Sequence, residues 1–290
     1  MSGFLTDVQK NQFFEDGYII LKDFFTDESL TKLETSLVRF YAVQAFKILE
    51  YRKKLSHGSN ILEYSTADDL VEILEMMEDS DKEALYQVQK LFLDSHFIKE
   101  FFTNKKLINV SSDLLKIPEE LILISDLGLF VNKPQTERLL YKWHNESHFY
   151  PKRQNFLNVW FPMFFDKNLE NGTMMMAKKS HTLKDLPFIE YSGYDKDSLG
   201  KKNYFKQLEV PESYVDKFEK IPMLCKRGDV VLFNRNLVHA SKLNHSDNYS
   251  FAGVTRIWEP TQDLTLSGEF TVQPYGNDFG RPGIDKINLS

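Results

Sequence analysis

Two imidazoles and a carboxylate stand within five residues in Trp143-His144-Asn145-Glu146-Ser147-His148-Phe149-Tyr150. The aromatic residues around them favour extended backbone, so the stretch is predicted to be a strand. On a strand His144 and Glu146 point to the same face, roughly 6.5 to 7 Å apart along the chain, and can close on one metal ion from one side. Two histidines and one carboxylate with the other positions open form the facial set of non-haem Fe(II) oxygenases. The third ligand is expected at His239, where the Gly228-Asp229 turn opens an apolar run that ends at a histidine. A zinc reading competes, because His144 and His148 would share one face of a helix. The helical zinc motif, however, has its glutamate directly after the first histidine, where Asn145 stands, and Pro151 opposes a helix. With seven histidines in the chain, one His-x-Glu is a weak signal alone.

The elements that must position these groups change period along the chain. Residues 1–118 read as mostly helical. Thr6 with Gln9 is a capping-box signature, Gly17 ends the first helix, and Tyr18 to Leu21 form a short strand. A longer helix is predicted from near Asp27, where Leu30, Leu33, Leu37, Phe40 and Tyr41 recur at three and four residues. Further helices are expected around 67–78, 81–94 and 104–116. From about 120, short aromatic or β-branched runs are separated by Pro, Asn-Gly and Gly-Asp turns. They fall at 121–124, 127–131, 139–149, 156–165, 173–176, 229–233 and 250–258, the pattern of a sandwich or barrel. Residues 182–222 break that pattern with polar sequence carrying Tyr191, Tyr194, Tyr204 and Phe205, and are expected to form a lid over the site. Residues 261–290 read as an irregular tail.

At 290 residues, 42% hydrophobic and 27% charged, the chain can bury a full core, and it is read as a single domain spanning 1–290. A net charge of -6 argues against nucleic acid as a partner, since phosphate contacts need clustered Lys and Arg. Cys225 is alone, which excludes an intramolecular disulfide and fits a reducing compartment. The opening residues lack a cleavable signal, and no stretch approaches the roughly 18 apolar residues of a membrane span. A cytoplasmic protein with no membrane partner is expected.

Beyond the metal set, five short motifs in order resemble the phytanoyl-CoA dioxygenase-like family of Fe(II)/2-oxoglutarate oxygenases. They are Leu5-Thr6-Asp7 with Phe13 to Leu21; Trp143-His144-x-Glu146; Val159-Trp160-Phe161-Pro162-Met163; Asn171-Gly172-Thr173-Met174 with Lys179-Ser180-His181; and Gly228-Asp229 leading to His239-x-Ser241-x-x-Asn244-x-Ser246. The match runs from about residue 4 to 260. It implies a mainly β fold with N-terminal helices: a double-stranded β-helix, or cupin-like jelly roll, packed by the helical part. It also implies Fe(II), 2-oxoglutarate and O2 as cofactors, and oxidation, by hydroxylation above all, of a small-molecule substrate.

Trp160, Ser241, Ser250 and Arg256 are the candidates to surround the cosubstrate. Tyr150, His148 and Arg153 are the candidates to face the substrate, which Lys152 and Arg153 would suit if it were anionic. Two departures from the family stand out. Glu146 replaces the usual Asp, one methylene longer. Ser250 occupies the place of an arginine that in the family pairs with the distal carboxylate of 2-oxoglutarate. Arg256, Arg153, Lys142 and Lys133 are the cations that could replace it. A metal- or ligand-binding protein without turnover, and an Fe(II) oxygenase independent of 2-oxoglutarate, are the alternative readings.

Overall fold

A computed structural model describes residues 4–51, 63–137, 140–151, 153–183, 186–196 and 202–260. The expected tail at 261–290 and Lys152 lie outside the described residues. Helix α1 (Asp7–Asp16) starts at the capping box, with Thr6 Oγ1 accepting from Gln9 N and Gln9 Oε1 from Thr6 N. It stops at Gly17, whose φ of 86° is left-handed. Helices α2 (Asp27–Tyr51), α3 (Ala67–Ser80), α4 (Lys82–Leu93) and α6 (Lys105–Leu115) fall where apolar spacing places them. A short α5 (His96–Phe102) was not expected, being too brief to display a full apolar period.

The strands are β1 (Tyr18–Leu21), β2 (Leu123–Asn132), β3 (Asn155–Met163), β4 (Met174–Ala177), β5 (Ile189–Lys196), β6 (Lys202–Glu209), β7 (Lys220–Pro222), β8 (Val230–Asn234), β9 (His239–Ser241) and β10 (Ser250–Glu259). A five-stranded sheet runs β1-β8-β3-β10-β2 and a three-stranded sheet β7-β4-β9, every pairing antiparallel. The two runs read at 121–124 and 127–131 are one strand, β2. Its register against β10 shifts between Val254 and Arg256, opposite Asp126 at φ 54°. Within the span 182–222, of which 184–185 and 197–201 lie outside the described residues, β5 and β6 pair as a hairpin. The hairpin's base is tied to the His144 segment by Val210 N donating to Trp143 O and Gln207 Nε2 donating to Leu140 O.

Alternation along the central strands divides the core. On β3, Leu157, Val159, Phe161 and Met163 join Phe25, Leu37, Phe102 and Leu114 in the layer between the large sheet and the helices. Trp160 points the other way and packs with Met174, Met176, Met223, Val231, Phe233 and Ala252 between the two sheets. Strand period two therefore sets a helix-facing side and a sheet-facing side. Gly253 lies opposite Phe161 on β10, and a Cβ there would stand 2.1 Å from the Phe161 ring, so this close approach requires glycine. Because helices and large sheet share one apolar layer, we expect residues 119–290 alone to aggregate rather than melt cooperatively. A soluble fragment with a sharp thermal transition would overturn the single-domain reading. Among the described residues no helix is long and apolar enough to cross a membrane.

Candidate metal centre

His144 and Glu146 are not strand neighbours. His144 forms an antiparallel bridge with His239, His144 N donating to His239 O at 2.9 Å and His239 N to His144 O at 2.8 Å. The chain then turns into a short helix, α7 (Glu146–Phe149), capped by Asn145, whose Oδ1 accepts from His148 N and Ser147 Oγ. Glu146 N and Ser147 N both donate to Arg235 O, directly after β8. An Asn at the cap and an acid in the first turn were the signal for a helical start, and they outweigh the extended preference of the flanking aromatics. Pro151 follows the last turn without entering it. Neither the strand reading nor the zinc-motif reading describes this geometry, since the carboxylate arrives by a bridge-to-helix corner.

The corner still brings the three groups together. One ligand atom from each of His144, Glu146 and His239 lies within 4.8 Å of the others, and all three residues are buried. Each Nε2 stands 3.8 Å from Glu146 Oε1. Nδ1 of His144 is 2.7 Å from Lys142 O and Nδ1 of His239 is 3.0 Å from Leu237 O, in each case the carbonyl two residues back. A carbonyl only accepts, so both Nδ1 atoms carry hydrogen and both Nε2 lone pairs are turned to the centre of the cluster. Arg256 grips the opposite carboxylate oxygen, Nη2 and Nε donating to Glu146 Oε2 at 2.7 and 3.2 Å, which leaves Oε1 for the histidines. Burial opposes the charge on Glu146, yet the His144 imidazole and then the Arg256 guanidinium outweigh it and hold the carboxyl down to about 2. Burial, and then the facing His144, push the His239 imidazole down to about 3. A carboxylate with two inward lone pairs, one of them on an imidazole kept neutral, suits a divalent cation, and the donor set fits iron.

The cluster opens on a cavity of about 200 Å³ between the two sheets. Trp160, Ser241, Arg256 and Tyr150 line it, as do Lys167, Thr173, Met174 and Asn158. Phe130, Leu140, Tyr141 and Phe149 add an apolar wall, with Phe130 and Tyr141 exposed and their rings 6.2 Å apart. Other expected residues lie elsewhere. His148 Nε2 donates toward Leu186 O and its ring packs on Phe188, away from the cavity lining. Arg153 pairs with Asp126 at 2.6 Å beneath Tyr150 and Trp258. Lys142 pairs with Glu209 and Lys133 with Glu78. Ser250 is buried at the start of β10, where its hydroxyl accepts from the Lys167 ammonium. Nothing in Phe165-Asp166-Lys167-Asn168 distinguishes Lys167 from a surface lysine in sequence.

The remaining motifs are structural. Asp229 accepts from Lys22 Nζ, Asp23 N and Lys226 N, fixing the turn before β8. Asn244 donates to Asn132 O and Asn248 O and accepts from Ser246, closing the turn before β10. Ser180 Oγ accepts from Val238 N, next to His239.

A jelly roll with two histidines, a carboxylate and a cavity between its sheets is the architecture of a non-haem Fe(II)/2-oxoglutarate oxygenase. The model of one family, phytanoyl-CoA dioxygenase (PhyH), matches residues 13–250, and the chain belongs to that family. It is accordingly an oxidoreductase that uses Fe(II), 2-oxoglutarate and O2. Among solved structures it is similar to EctD from S. alaskensis with bound Fe, at TM-score 0.53 and 15% identity over 90% of this chain and 79% of that one. EctD with 2-oxoglutarate and 5-hydroxyectoine gives TM-score 0.52 and 15% identity over 97% and 83%. A non-heme monooxygenase, ThoJ in its apo form, gives 0.50 and 15% over 87% and 78%. At these identities the similarity bears on the fold. No curated protein sequence matches the chain.

Proposed function

We propose that His144, Glu146 and His239 hold one Fe(II) and that the protein hydroxylates a small molecule with an apolar body. The observation that carries this reading is the pair of Nε2 lone pairs turned on a carboxylate oxygen whose twin is held by Arg256. When bound, the iron with 2-oxoglutarate and O2 supplies the oxidising power: one oxygen atom goes to the substrate, the other to succinate, and CO2 leaves. The chain's own part is to orient and to exclude water. The Lys142 and Leu237 carbonyls set both imidazoles, Arg256 sets the carboxylate, and Phe130, Leu140, Tyr141 and Phe149 offer an apolar wall to a substrate. Trp160 and Ser241, on the sheet-facing sides of β3 and β9, would flank the cosubstrate. The β5–β6 hairpin, anchored beside the His144 segment, would cover the entrance. With Arg153 engaged by Asp126, an anionic substrate loses the support that residue gave it. A reducing compartment, the cytoplasm, accords with the lone buried Cys225.

Supplied with Fe(II) and ascorbate, the protein is expected to convert 2-oxoglutarate to succinate, slowly alone and faster with a substrate. Iron binding without succinate would replace this reading with a ligand-binding protein. O2 uptake without succinate would replace it with an oxygenase independent of 2-oxoglutarate.

A further inference from the structure

A buried lysine without a counter-ion is costly unless a ligand supplies one. Lys167 is such a residue. It is 4% exposed, it lines the same cavity as His144, Glu146 and His239, and its ammonium donates to Ser250 Oγ. No carboxylate among the described residues pairs with it, and burial alone depresses its basicity, to about 7. The backbone holds the residue firmly, because Lys167 and Cys225 exchange both main-chain hydrogen bonds in an isolated bridge that fixes where the side chain leaves the loop after β3.

The cosubstrate is a dicarboxylate. Its keto-acid end would serve the metal, which leaves a second carboxylate inside a cavity whose lining, apart from the two histidines of the metal cluster, holds two basic side chains among the described residues, Arg256 and Lys167. Arg256 is already committed to Glu146 Oε2 by two contacts. Ser250 can offer one neutral hydroxyl and no charge. Resting on the reading of the metal centre above, we propose that Lys167 receives the distal carboxylate of 2-oxoglutarate, with Ser250 orienting its ammonium. The cation thus comes from the loop after β3, while β10 contributes only the hydroxyl. A lysine here is a point charge where an arginine would give a planar, bidentate fork. The pocket is consequently selective for a terminal carboxylate but less strict about its angle. It also holds a group that can lose its charge near neutrality, which no arginine would do. The other titratable groups on the cavity wall are Tyr141, His144, Glu146, Tyr150, His239 and Arg256.

The test is anaerobic titration of the full-length Fe(II) protein with two probes, following the visible metal-to-ligand charge-transfer band. One probe is 2-oxoglutarate. The other is 2-oxopentanoate, which keeps the five carbons and the keto acid but ends in a methyl group. Lys167→Met is expected to weaken 2-oxoglutarate about 30-fold or more while changing 2-oxopentanoate less than about threefold, with the band itself retained at saturation. Lys167→Arg should restore much of the 2-oxoglutarate affinity and remove its decline on raising the pH from 7 to 9. Unchanged 2-oxoglutarate affinity in Lys167→Met, or equal losses for both probes, would overturn the proposal and leave the metal-centre reading intact. If the wild type gave no band with either probe, both would fall.

Discussion

Replacing His239 by alanine is expected to leave the protein folded but without stoichiometric iron, and to reduce succinate formation to the level without enzyme. The imidazole is buried, neutral and held through Nδ1 to Leu237 O, so its Nε2 has no function in the fold beyond facing Glu146. Its reciprocal backbone bridge to His144 does not depend on the side chain and survives the change. A water could take the vacated place, but a charged carboxylate and one imidazole bind Fe(II) far more weakly than the three-donor set. His144→Ala and Glu146→Ala should behave alike, with Glu146→Ala also leaving Arg256 without its partner and costing about 3 kcal/mol of stability. Arg256→Lys is expected to be milder, with iron affinity falling about 10- to 100-fold, because one point charge replaces the two contacts that orient the carboxylate. Metal analysis of the purified variants with a succinate assay decides the matter. Full iron occupancy in His239→Ala would refute the ligand set.

The second large effect runs against intuition: Lys167→Met should make the ligand-free protein more stable. Burial lowers the basicity of Lys167 from 10.5 to about 7, so between those values the unfolded chain holds a proton that the folded protein gives up. The folded state is therefore penalised in full below about pH 7, and the penalty fades as the pH rises from 7 toward 10.5. Methionine fills a similar volume with no charge to desolvate, and about 2 to 4 kcal/mol should return at neutral pH. For a chain of this size that corresponds to a rise in Tm of about 3 to 7 °C. The gap between variant and wild type should narrow at pH 9. It should narrow again at neutral pH when 2-oxoglutarate and a redox-inert divalent metal stabilise the wild type by binding its native state. A variant that melts at or below the wild-type temperature across this range would show that the ammonium is not desolvated in solution.

Much of the architecture could be read from local chemistry. The capping box at Thr6, the three-and-four spacing from Leu30 to Tyr41 and the Gly228-Asp229 turn each act within a few residues, and each appears where the sequence places it. That His144, Glu146 and His239 would meet was legible too, although not through strand alternation. His144 and Glu146 converge through a bridge to His239 and an Asn145 cap, a corner that period-two reasoning cannot produce. Lys167 was not legible at all. Its meaning depends on pairing with Cys225, nearly sixty positions away in sequence, and on facing a cavity that exists only once two sheets close. The lone pairs of the histidines, set by carbonyls two residues back, were likewise invisible without the backbone path.

The reciprocal bridge between His144 and His239 also bears on which metal the protein carries. Because both imidazoles are oriented by main chain before any ion arrives, metal entry needs little rearrangement, and the apo site is already shaped for a divalent ion. Such a site cannot reject competitors by refusing to form around them. Affinity then follows the general order for divalent ions at nitrogen and oxygen donors, in which cobalt, nickel and copper exceed iron. Iron identity is left to supply: the ion whose free level, weighted by its affinity, is greatest in the surrounding medium fills the cluster. Protein recovered from a medium rich in nickel or cobalt would be correctly folded, fully metallated and inert.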